Sequence, residues 1–456
     1  SYLWTPSHSC WVNASTRSSR APWPSGMPRG GDRMFDLATS RRIKLVGFDV
    51  DGVLTDGGVY LGATRSPDGE TTRPFEFKRY DIQDGLGIKM LQLSSKPCYV
   101  ETSCLWVEGL LTEGFRIHLF SLTPPEDDYS PDPKNFSFNA LFETNELVKK
   151  DTGFGKLRYF KGISLLRKIK REFDPHIVHA HYASSYGALA LLAGLKPYSV
   201  SCWGSEVFDF PKRSFVHKTI FKRVISSAFQ VYSTSERMKL EILNYVNRDI
   251  EVIPFGIDTE KFKSHRDKTV PSETLVIGTV KALEEIYGID RLLEAYAIFL
   301  KQYAGTSELK IYGKGSKESE YKKMAEQLGI ADKVIFGGFV SGNDLIEAYN
   351  NLDIYCALSR QESFGVAVLE ASAMELPVIV SNVGGLPEVV KNGDTGFIIS
   401  EGKPELTAQK LMELSNPEKR AIIGKAGRNF VLEDFNFEKN LKRQVEVYKQ
   451  QLNKHD

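Results

Sequence analysis

Short apolar runs alternate with amphipathic helical stretches along most of this chain of 456 residues. A first series of runs predicts strands at 88–93, 116–121, 177–180, 198–201, 230–233 and 251–254. A second series predicts strands at 275–278, 309–312, 334–336, 353–356 and 377–380. Strands that alternate with helices in this way are typical of parallel sheets wrapped by helices.

The two series of strands predict two doubly wound α/β domains. The first Rossmann-like domain spans 88–258 and the second spans 259–434, with a polar stretch at 255–271 where they join. The amphipathic pattern of 435–456 predicts a C-terminal helix that crosses back to the first domain. Ligands of such sheets bind at the carboxyl ends of the strands, so we expect the site in a cleft where the two domains face each other.

The first 87 residues do not share this pattern. Residues 1–40 are rich in Ser, Pro, Gly, Arg and Trp and show no regular period, which predicts disorder or sequence that is not native to the protein. Residues 41–87 form a separate segment, in which an apolar run at 43–48 leads into Asp49 and Asp51. The run predicts a buried strand whose end aims both carboxylates at one point, and such oxygen ligands suit Mg²⁺.

Composition narrows the class of protein. A net charge of +1 gives no reason to expect nucleic-acid binding. The five cysteines form no C-x-x-C pair, so we expect neither a disulfide framework nor a zinc site, and a reducing cytoplasmic setting fits. No apolar run reaches the ~18–20 residues that span a bilayer.

Residues 41–92 resemble part of the haloacid-dehalogenase superfamily, specifically its small 3-deoxy-octulosonate phosphate phosphatases. The resemblance rests on Asp49-Val-Asp51 and on the stretch 84–92. It implies that Asp49 accepts a phosphoryl group and that Asp51 is the general acid or base. The Ser/Thr, the Lys and the later acidic pair of that family do not follow in register, so we expect a truncated, vestigial phosphatase.

The segment 359–380 is the most informative part of the chain. It predicts a strand, a loop, a helix that opens at Ser363, and a further strand. Glu362 stands at the start of this helix and Glu370 follows eight residues later. Ser363, Phe364 and Gly365 place backbone N–H groups at a helix N-terminus, where anions bind, and a glycine lets a diphosphate approach closely.

This segment resembles the retaining glycosyltransferases of family 4, which have the two-domain GT-B fold. The two glutamates in their Glu-Ser-Phe-Gly context, with the turns at 382–388 and 392–397, carry a resemblance that covers 88–456. It implies that the first domain binds the acceptor and the second domain the nucleotide sugar. Glu370 would bind the ribose hydroxyls, and Glu362 would contact the donor sugar and steady positive charge at its anomeric carbon. The alternative is that both glutamates cover a solvated helix face.

The diphosphate site departs from the family pattern. Relatives carry Gly-Arg and then Lys-Gly after the first strand of the second domain, whereas this chain has Lys281 and then Ile286-Tyr-Gly288. Lys281 can supply one cation. Lys314, in a Gly-Lys-Gly turn, is the candidate for the second, and an ordinary turn is an equal alternative.

Two candidate catalytic residues follow strands of the first domain. His181 ends the run His179-Ala-His181, and the period of a strand places both rings on one face. The alternative is a buried histidine with a hydrogen-bond partner. Trp203 stands where many relatives carry a histidine near the donor sugar, and a tryptophan there could stack on a sugar face. Glu206 either reaches the acceptor or caps the next helix.

The resemblance implies a retaining glycosyltransferase that moves a sugar from a nucleoside diphosphate sugar to a glycan or lipid-linked acceptor without a cofactor. Basic amphipathic segments at 156–171 and 212–223 could dock on the inner face of a membrane, or are solvated helix faces. Two other functions stay open. One is a Mg²⁺-dependent sugar-acid phosphatase, and the other is a non-catalytic sugar-binding module.

Overall fold

The computed structural model describes residues 44–48, 59–65, 72–78, 101–121, 132, 134–141, 161–266, 273–400 and 403–453. All of them belong to one compact unit that runs from Met34 to Asp456. No helix in this part of the chain combines the length and the apolar content that crossing a bilayer requires.

The first sheet is built from parallel strands. In chain order, the strands of this region are β1 (Lys44–Phe48), β2 (Val59–Arg65), β3 (Thr72–Lys78), β4 (Arg116–Ser121), β5 (Phe136–Ala140), β6 (Ile177–His181), β7 (Ser199–Cys202), β8 (Gln230–Ser233) and β9 (Glu251–Val252). Seven of the described strands form the sheet, in the order β5-β4-β1-β6-β7-β8-β9, and β2 and β3 form a separate antiparallel hairpin.

The second sheet is parallel as well. Its strands are β10 (Thr274–Val280), β11 (Thr306–Tyr312), β12 (Val334–Gly338), β13 (Ile354–Ala357), β14 (Val378–Ser381) and β15 (Gly396–Ile399). Their order is β12-β11-β10-β13-β14-β15. The sequence missed β5 and β15, which lie at the edges of their sheets. In β5 only Phe136 is buried, so its apolar pattern is weak.

Helices cover both sheets. Those of the first domain are α1 (Glu101–Thr112), α2 (Lys161–Phe173), α3 (Ala188–Ala193), α4 (Ser205–Phe208), α5 (Phe215–Ser227) and α6 (Glu236–Leu243). Those that follow are α7 (Ile289–Leu300), α8 (Glu318–Gln327), α9 (Gly342–Asn350), α10 (Val366–Ala373), α11 (Pro404–Leu414), α12 (Pro417–Asp434) and α13 (Phe437–Asn453). A π-helical turn, Tyr182–Gly187, follows β6 directly.

β1 lies inside the first sheet and not in a segment of its own. Its backbone pairs in parallel with β4 and β6, so that Leu45 is opposite both Ile117 and Ile177. The domain boundary expected at residue 88 therefore differs from the structure, because a strand held by ladder hydrogen bonds on both edges belongs to the sheet that supplies them. The strand expected at 88–93 lies outside the described residues, as do Asp49 and Asp51.

The C-terminal helix α13 packs on the first domain. Phe437, Leu441 and Val445 share an apolar core with Leu110 of α1 and Ile117 of β4. On the opposite face of the same sheet, α2, α3 and α5 bury their apolar sides together. The chain thus returns from the second domain to complete one layer of the first.

Candidate active site

The order of the strands in the second sheet reverses between β10 and β13, which are neighbours although they are far apart in the chain. Lys281 follows the end of β10 directly, and the segment from Ser359 to Glu362 follows β13. Carboxyl ends of strands at such a switch point are where doubly wound sheets bind ligands. The fold therefore brings the predicted phosphate-binding cation and the first glutamate to one place.

Lys281 and Glu362 form a buried ion pair. The Lys281 Nζ atom lies 2.9 Å from Glu362 Oε2, and the two side chains are 0% and 3% exposed. Ser359 Oγ lies 3.5 Å from the same carboxylate oxygen, and the ring of Tyr287 faces the ammonium group at 5.7 Å. The alternative of a solvated helix face does not fit Glu362.

Tight turns hold this pair. The backbone N–H of Gly385 donates to the Glu362 carbonyl at 3.1 Å. Gly384 has φ +52°, and a Cβ atom there would lie 1.6 Å from the same carbonyl oxygen. Gly313 has φ +143°, and a Cβ atom there would lie 1.9 Å from the Lys281 carbonyl oxygen. Only glycine fits such close approaches in this backbone conformation.

The helix after Glu362 begins later than the sequence predicts. It starts at Val366 and not at Ser363, because Gly365 adopts φ +113° and caps the helix. Phe364 is buried, with a 3% exposed side chain, and packs in the core of the second domain. The first N–H groups of a helix have no partner within it. The first N–H groups of α10 therefore lie at the edge of the second sheet that also carries Glu362.

Glu370 lies half-buried on α10 and accepts a hydrogen bond from a tyrosine. The Tyr349 hydroxyl donates to Glu370 Oε2 at 2.8 Å. Burial, and then the negative charge of Glu370, raise the pKa of Tyr349 well above its usual value, so the phenol keeps its proton and remains a donor. The sequence did not predict this contact, because Tyr349 lies on α9, 21 residues away.

Lys314 is exposed, and its turn packs against that of Lys281. The Leu283 N–H donates to the Lys314 carbonyl at 3.1 Å. Arg360 is a further cation in this region, which the sequence analysis missed. It lies beside Ile286, because its backbone N–H donates to the Ile286 carbonyl at 2.7 Å. The Arg360 guanidinium makes a bidentate contact with Asp290, at 2.8 and 2.5 Å.

The two histidines of the first domain differ in their surroundings. Their rings stack at 4.5 Å between centroids, as the strand period predicts. Both ring nitrogens of His179 have partners, the Tyr448 hydroxyl at 2.5 Å and Ser201 Oγ at 2.7 Å. His181 Nδ1 is buried without a hydrogen-bond partner among the described residues, and burial lowers the pKa of His181 to about 4. His179 therefore has the structural role, and His181 keeps a free nitrogen.

Trp203 faces His181 and extends towards the second domain. Its ring lies 4.9 Å from that of His181 and 5.1 Å from that of Phe255, which in turn lies 5.8 Å from Phe364. The structure thus connects the first-domain candidates with the loop after Glu362. A cavity of about 40 Å³ lies next to Trp203 and is lined by both histidines.

Glu206 holds the loop that carries Trp203. Its carboxylate accepts the N–H groups of Trp203 at 2.5 Å and Gly204 at 3.0 Å, and its side chain is fully buried. Burial raises the pKa of Glu206 to about 7, against the opposing effect of these hydrogen bonds. Glu206 therefore holds the loop between β7 and α4 and does not cap that helix, which has no side-chain cap; a contact with the acceptor stays a prediction.

Comparison with known families agrees with this arrangement. Residues 260–430 match the family model of glycosyl transferases group 1, and residues 94–235 match that of glycosyl transferase 4-like proteins. Two segments of the chain thus match glycosyltransferase domains. The capsular polysaccharide biosynthesis glycosyltransferase CapM from Staphylococcus aureus is 31% identical over 238 residues, which are 48% of this chain and 61% of that protein. The chain spans between 43% and 61% of the length of the curated relatives that it matches at 30–31% identity.

Solved structures show the same fold for these glycosyltransferase domains. Sucrose-phosphate synthase from Thermosynechococcus elongatus aligns with a TM-score of 0.69 at 18% identity, over 90% of this chain and 99% of that one. HepE from Anabaena, in complex with UDP-glucose, aligns with a TM-score of 0.63 at 16% identity, over 90% of this chain and all of that one. The expected GT-B fold is confirmed. The phosphatase resemblance, the retaining mechanism and the roles of single residues stay predictions.

Proposed function

We propose that the chain is a retaining glycosyltransferase that transfers a sugar from a nucleoside diphosphate sugar to an acceptor hydroxyl. The observation that carries the proposal is the buried pair of Lys281 and Glu362 at the switch point of the second sheet, with Glu370 on the following helix. A cation, a carboxylate and free helix N–H groups at one edge are what binding of a diphosphate sugar requires.

Each group has a role in the proposed reaction. The bond between the anomeric carbon and the diphosphate oxygen breaks, and Lys281 and the N–H groups of α10 stabilise the charge that develops on the leaving diphosphate. The Glu362 carboxylate stabilises positive charge on the sugar. The acceptor oxygen then bonds to the anomeric carbon on the face that the diphosphate leaves, and its proton passes to the diphosphate. Glu370 binds the ribose hydroxyls.

A UDP-sugar is the first donor to test, because the Anabaena protein of the same fold was solved with UDP-glucose. His181 and Trp203 face the donor sugar from the first domain in this proposal, with Trp203 as a stacking surface. Lys314 is a second phosphate-binding cation, since its exposed side chain extends from the turn next to Lys281.

The acceptor is a growing surface glycan or its lipid carrier in this proposal. The related CapM protein is named for capsular polysaccharide biosynthesis. A lipid carrier would bring the first domain to an anionic membrane surface. On α5, Phe215 and Val216 are 83% and 62% exposed beside exposed Lys218, Lys222 and Arg223. No acidic residue occurs between positions 209 and 236, although Glu241 of α6 pairs with Lys212 at 3.3 Å. Each lysine or arginine near an anionic surface contributes ~1 kcal/mol.

The phosphatase and sugar-binding alternatives predict other behaviour. Phosphatase activity would be Mg²⁺-dependent and lost in Asp49→Asn. We favour the transferase because β1, which leads to Asp49, pairs on both edges within the first transferase sheet. A sugar-binding module would bind a glycan without affinity for any nucleotide.

Calorimetry with UDP, GDP and ADP tests the proposal. We expect the full chain to bind one of them, and Glu370→Ala to bind it ~10- to 100-fold more weakly, because charge-assisted hydrogen bonds worth ~1.5–3 kcal/mol are lost. Glu326→Ala is the matched control, since Glu326 is exposed on α8. Absence of binding by the unsubstituted chain would refute the donor site.

Vesicle sedimentation tests the membrane contact. We expect the chain to bind vesicles that contain phosphatidylglycerol but not neutral phosphatidylcholine vesicles, and Phe215→Ala/Val216→Ala to weaken this binding. Ile422→Ala removes an apolar side chain that is 70% exposed on α12 of the second domain, and it should leave binding unchanged. Equal binding to both kinds of vesicle would contradict an electrostatic docking face.

A further inference from the structure

A carboxylate of the second domain caps a helix of the first. Glu388 ends the short 3-10 turn Leu386–Glu388. Its Oε2 atom accepts the N–H of Glu236 at 2.7 Å, and its Oε1 atom accepts the N–H of Arg237 at 2.7 Å. These are the first two residues of α6, so a single side chain binds two donors of another domain.

The contact supplies acceptors for N–H groups that α6 leaves unpaired at its start. The helix has its own cap, Ser235, whose Oγ atom accepts the N–H of Met238 at 3.1 Å. The N–H groups of Glu236 and Arg237 have no partner within a helix that starts there. The N-terminus of a helix also carries partial positive charge, so a carboxylate binds there more strongly than a neutral acceptor.

The same turn is tied to the proposed donor site. The N–H of Gly385 donates to the carbonyl of Glu362, and Gly384 packs directly on that carbonyl. Glu388 lies three residues further along the turn. A force on Glu388 therefore acts on the backbone of Glu362. A weaker contact joins the two domains at Gln361, the residue before Glu362, where Gln361 Nε2 donates to Asp209 Oδ2 at 3.4 Å.

We propose that Glu388 is a positioning residue that acts as a latch, holding the two domains in this arrangement and thereby setting the distance between Glu362 and the first-domain site. Opening the cleft breaks both bonds and leaves the first amides of α6 to water. The role in catalysis rests on the proposed transferase function, whereas the latch itself does not. Glu388 touches neither the sugar nor the diphosphate in this proposal and acts through Glu362.

Hydrogen exchange of the nucleotide-free full chain tests the latch directly. We expect the amides of Glu236 and Arg237 to exchange roughly tenfold faster in Glu388→Ala, because their acceptor is lost. The radius of gyration from X-ray scattering should rise in the same variant. Glu388→Gln should be intermediate, since an amide side chain offers one acceptor oxygen.

Two controls separate the latch from simple capping. Ser235→Ala removes the internal cap of α6 and should speed exchange at Met238 without a change in the radius of gyration. Glu405→Gln removes an exposed carboxylate from the first turn of α11, within one domain, and should change neither readout. Unchanged exchange at Glu236 and Arg237 in Glu388→Ala, with an unchanged radius, would overturn the latch.

Nucleotide binding then separates the two proposals. If the chain binds a nucleotide, Glu388→Ala should weaken that binding and raise the ratio of donor hydrolysis to transfer, because the cleft excludes water less well. If the chain binds none, the transferase proposal fails, while the exchange and scattering results still decide whether Glu388 holds the domains together.

Discussion

At the scale of single residues, Lys281 and Glu362 form a buried ion pair that bears on both the stability and the proposed chemistry of the protein. Both side chains are almost fully excluded from solvent and lie 2.9 Å apart. Neither charge could be buried alone, because an unpaired ion in a protein interior costs several kcal/mol. Each partner therefore offsets the cost of burying the other.

Breaking this pair should destabilise the protein. Lys281→Met leaves the Glu362 carboxylate buried without its cation, and we expect the free energy of unfolding to fall by ~3–5 kcal/mol. The double variant Lys281→Met/Glu362→Gln should regain much of the loss, since no buried charge remains. Urea denaturation of the single and double variants measures both effects. A double variant whose loss equals the sum of the single losses would show that the pair is not coupled.

Glu206 makes stability depend on pH. Its folded-state pKa of about 7 lies above its ordinary value of 4.5. The stabilisation from the protonated form is therefore fully present below pH 4.5 and is lost as pH rises through 7. Glu206→Gln cannot titrate, so the stability of the unsubstituted chain relative to this variant should fall by about 3 kcal/mol between pH 4.5 and 8.

Comparison with Glu206→Gln isolates this effect from the buried histidines. Burial lowers the pKa of His179 and of His181, so their contribution runs the other way and is lost as pH falls. It is common to both proteins and cancels in the difference. Parallel pH profiles for the two proteins would contradict the assignment to Glu206.

At the scale of elements, the site is made of turns that follow strands and not of the strands themselves. The turns after β10, β11, β13 and β14 meet at one edge, and close backbone approaches at Gly313 and Gly384 hold them there. Backbone geometry thus fixes where Lys281 and Glu362 lie.

Gly384→Ala tests this role of the turns. A Cβ atom would lie 1.6 Å from the Glu362 carbonyl oxygen, so the turn must move. We expect a loss of stability clearly above the ~1–2 kcal/mol that a left-handed alanine costs, together with weaker nucleotide binding. Gly329→Ala is the matched control, because Gly329 has φ +68° and open space around it. Thermal unfolding and calorimetry measure the two effects, and equal losses in both variants would refute the steric argument.

At the scale of the whole molecule, α13 joins the end of the chain to the first domain. The Tyr448 hydroxyl contacts His179, and Gln451 contacts Tyr232 at 2.5 Å, more than two hundred residues apart in each case. The first domain is therefore incomplete without the last helix. Glu388 supplies a second connection between the domains, because this residue of the second domain binds the start of α6 in the first.

Leu441→Ala should destabilise the first domain although the residue follows the second in sequence. The side chain is 6% exposed, and its removal leaves a cavity that costs ~2–5 kcal/mol. Hydrogen exchange should rise in α1 and β4, which share its core. Lys442→Ala, at an exposed position one residue later, should change neither exchange nor stability. Faster exchange confined to the second domain would contradict this packing.

The sequence by itself determined the local features of this protein. The apolar runs predicted most strands to within one or two residues, and the spacing and context of Glu362 and Glu370 indicated a glycosyltransferase. Tertiary structure decided which elements pair and which side chains meet. β1 joined the first sheet, Lys281 met Glu362 across 81 residues, and Glu388 capped α6 across 152. Periodicity is a property of neighbours in the chain, whereas these contacts depend on packing between elements whose separation in sequence follows no fixed rule.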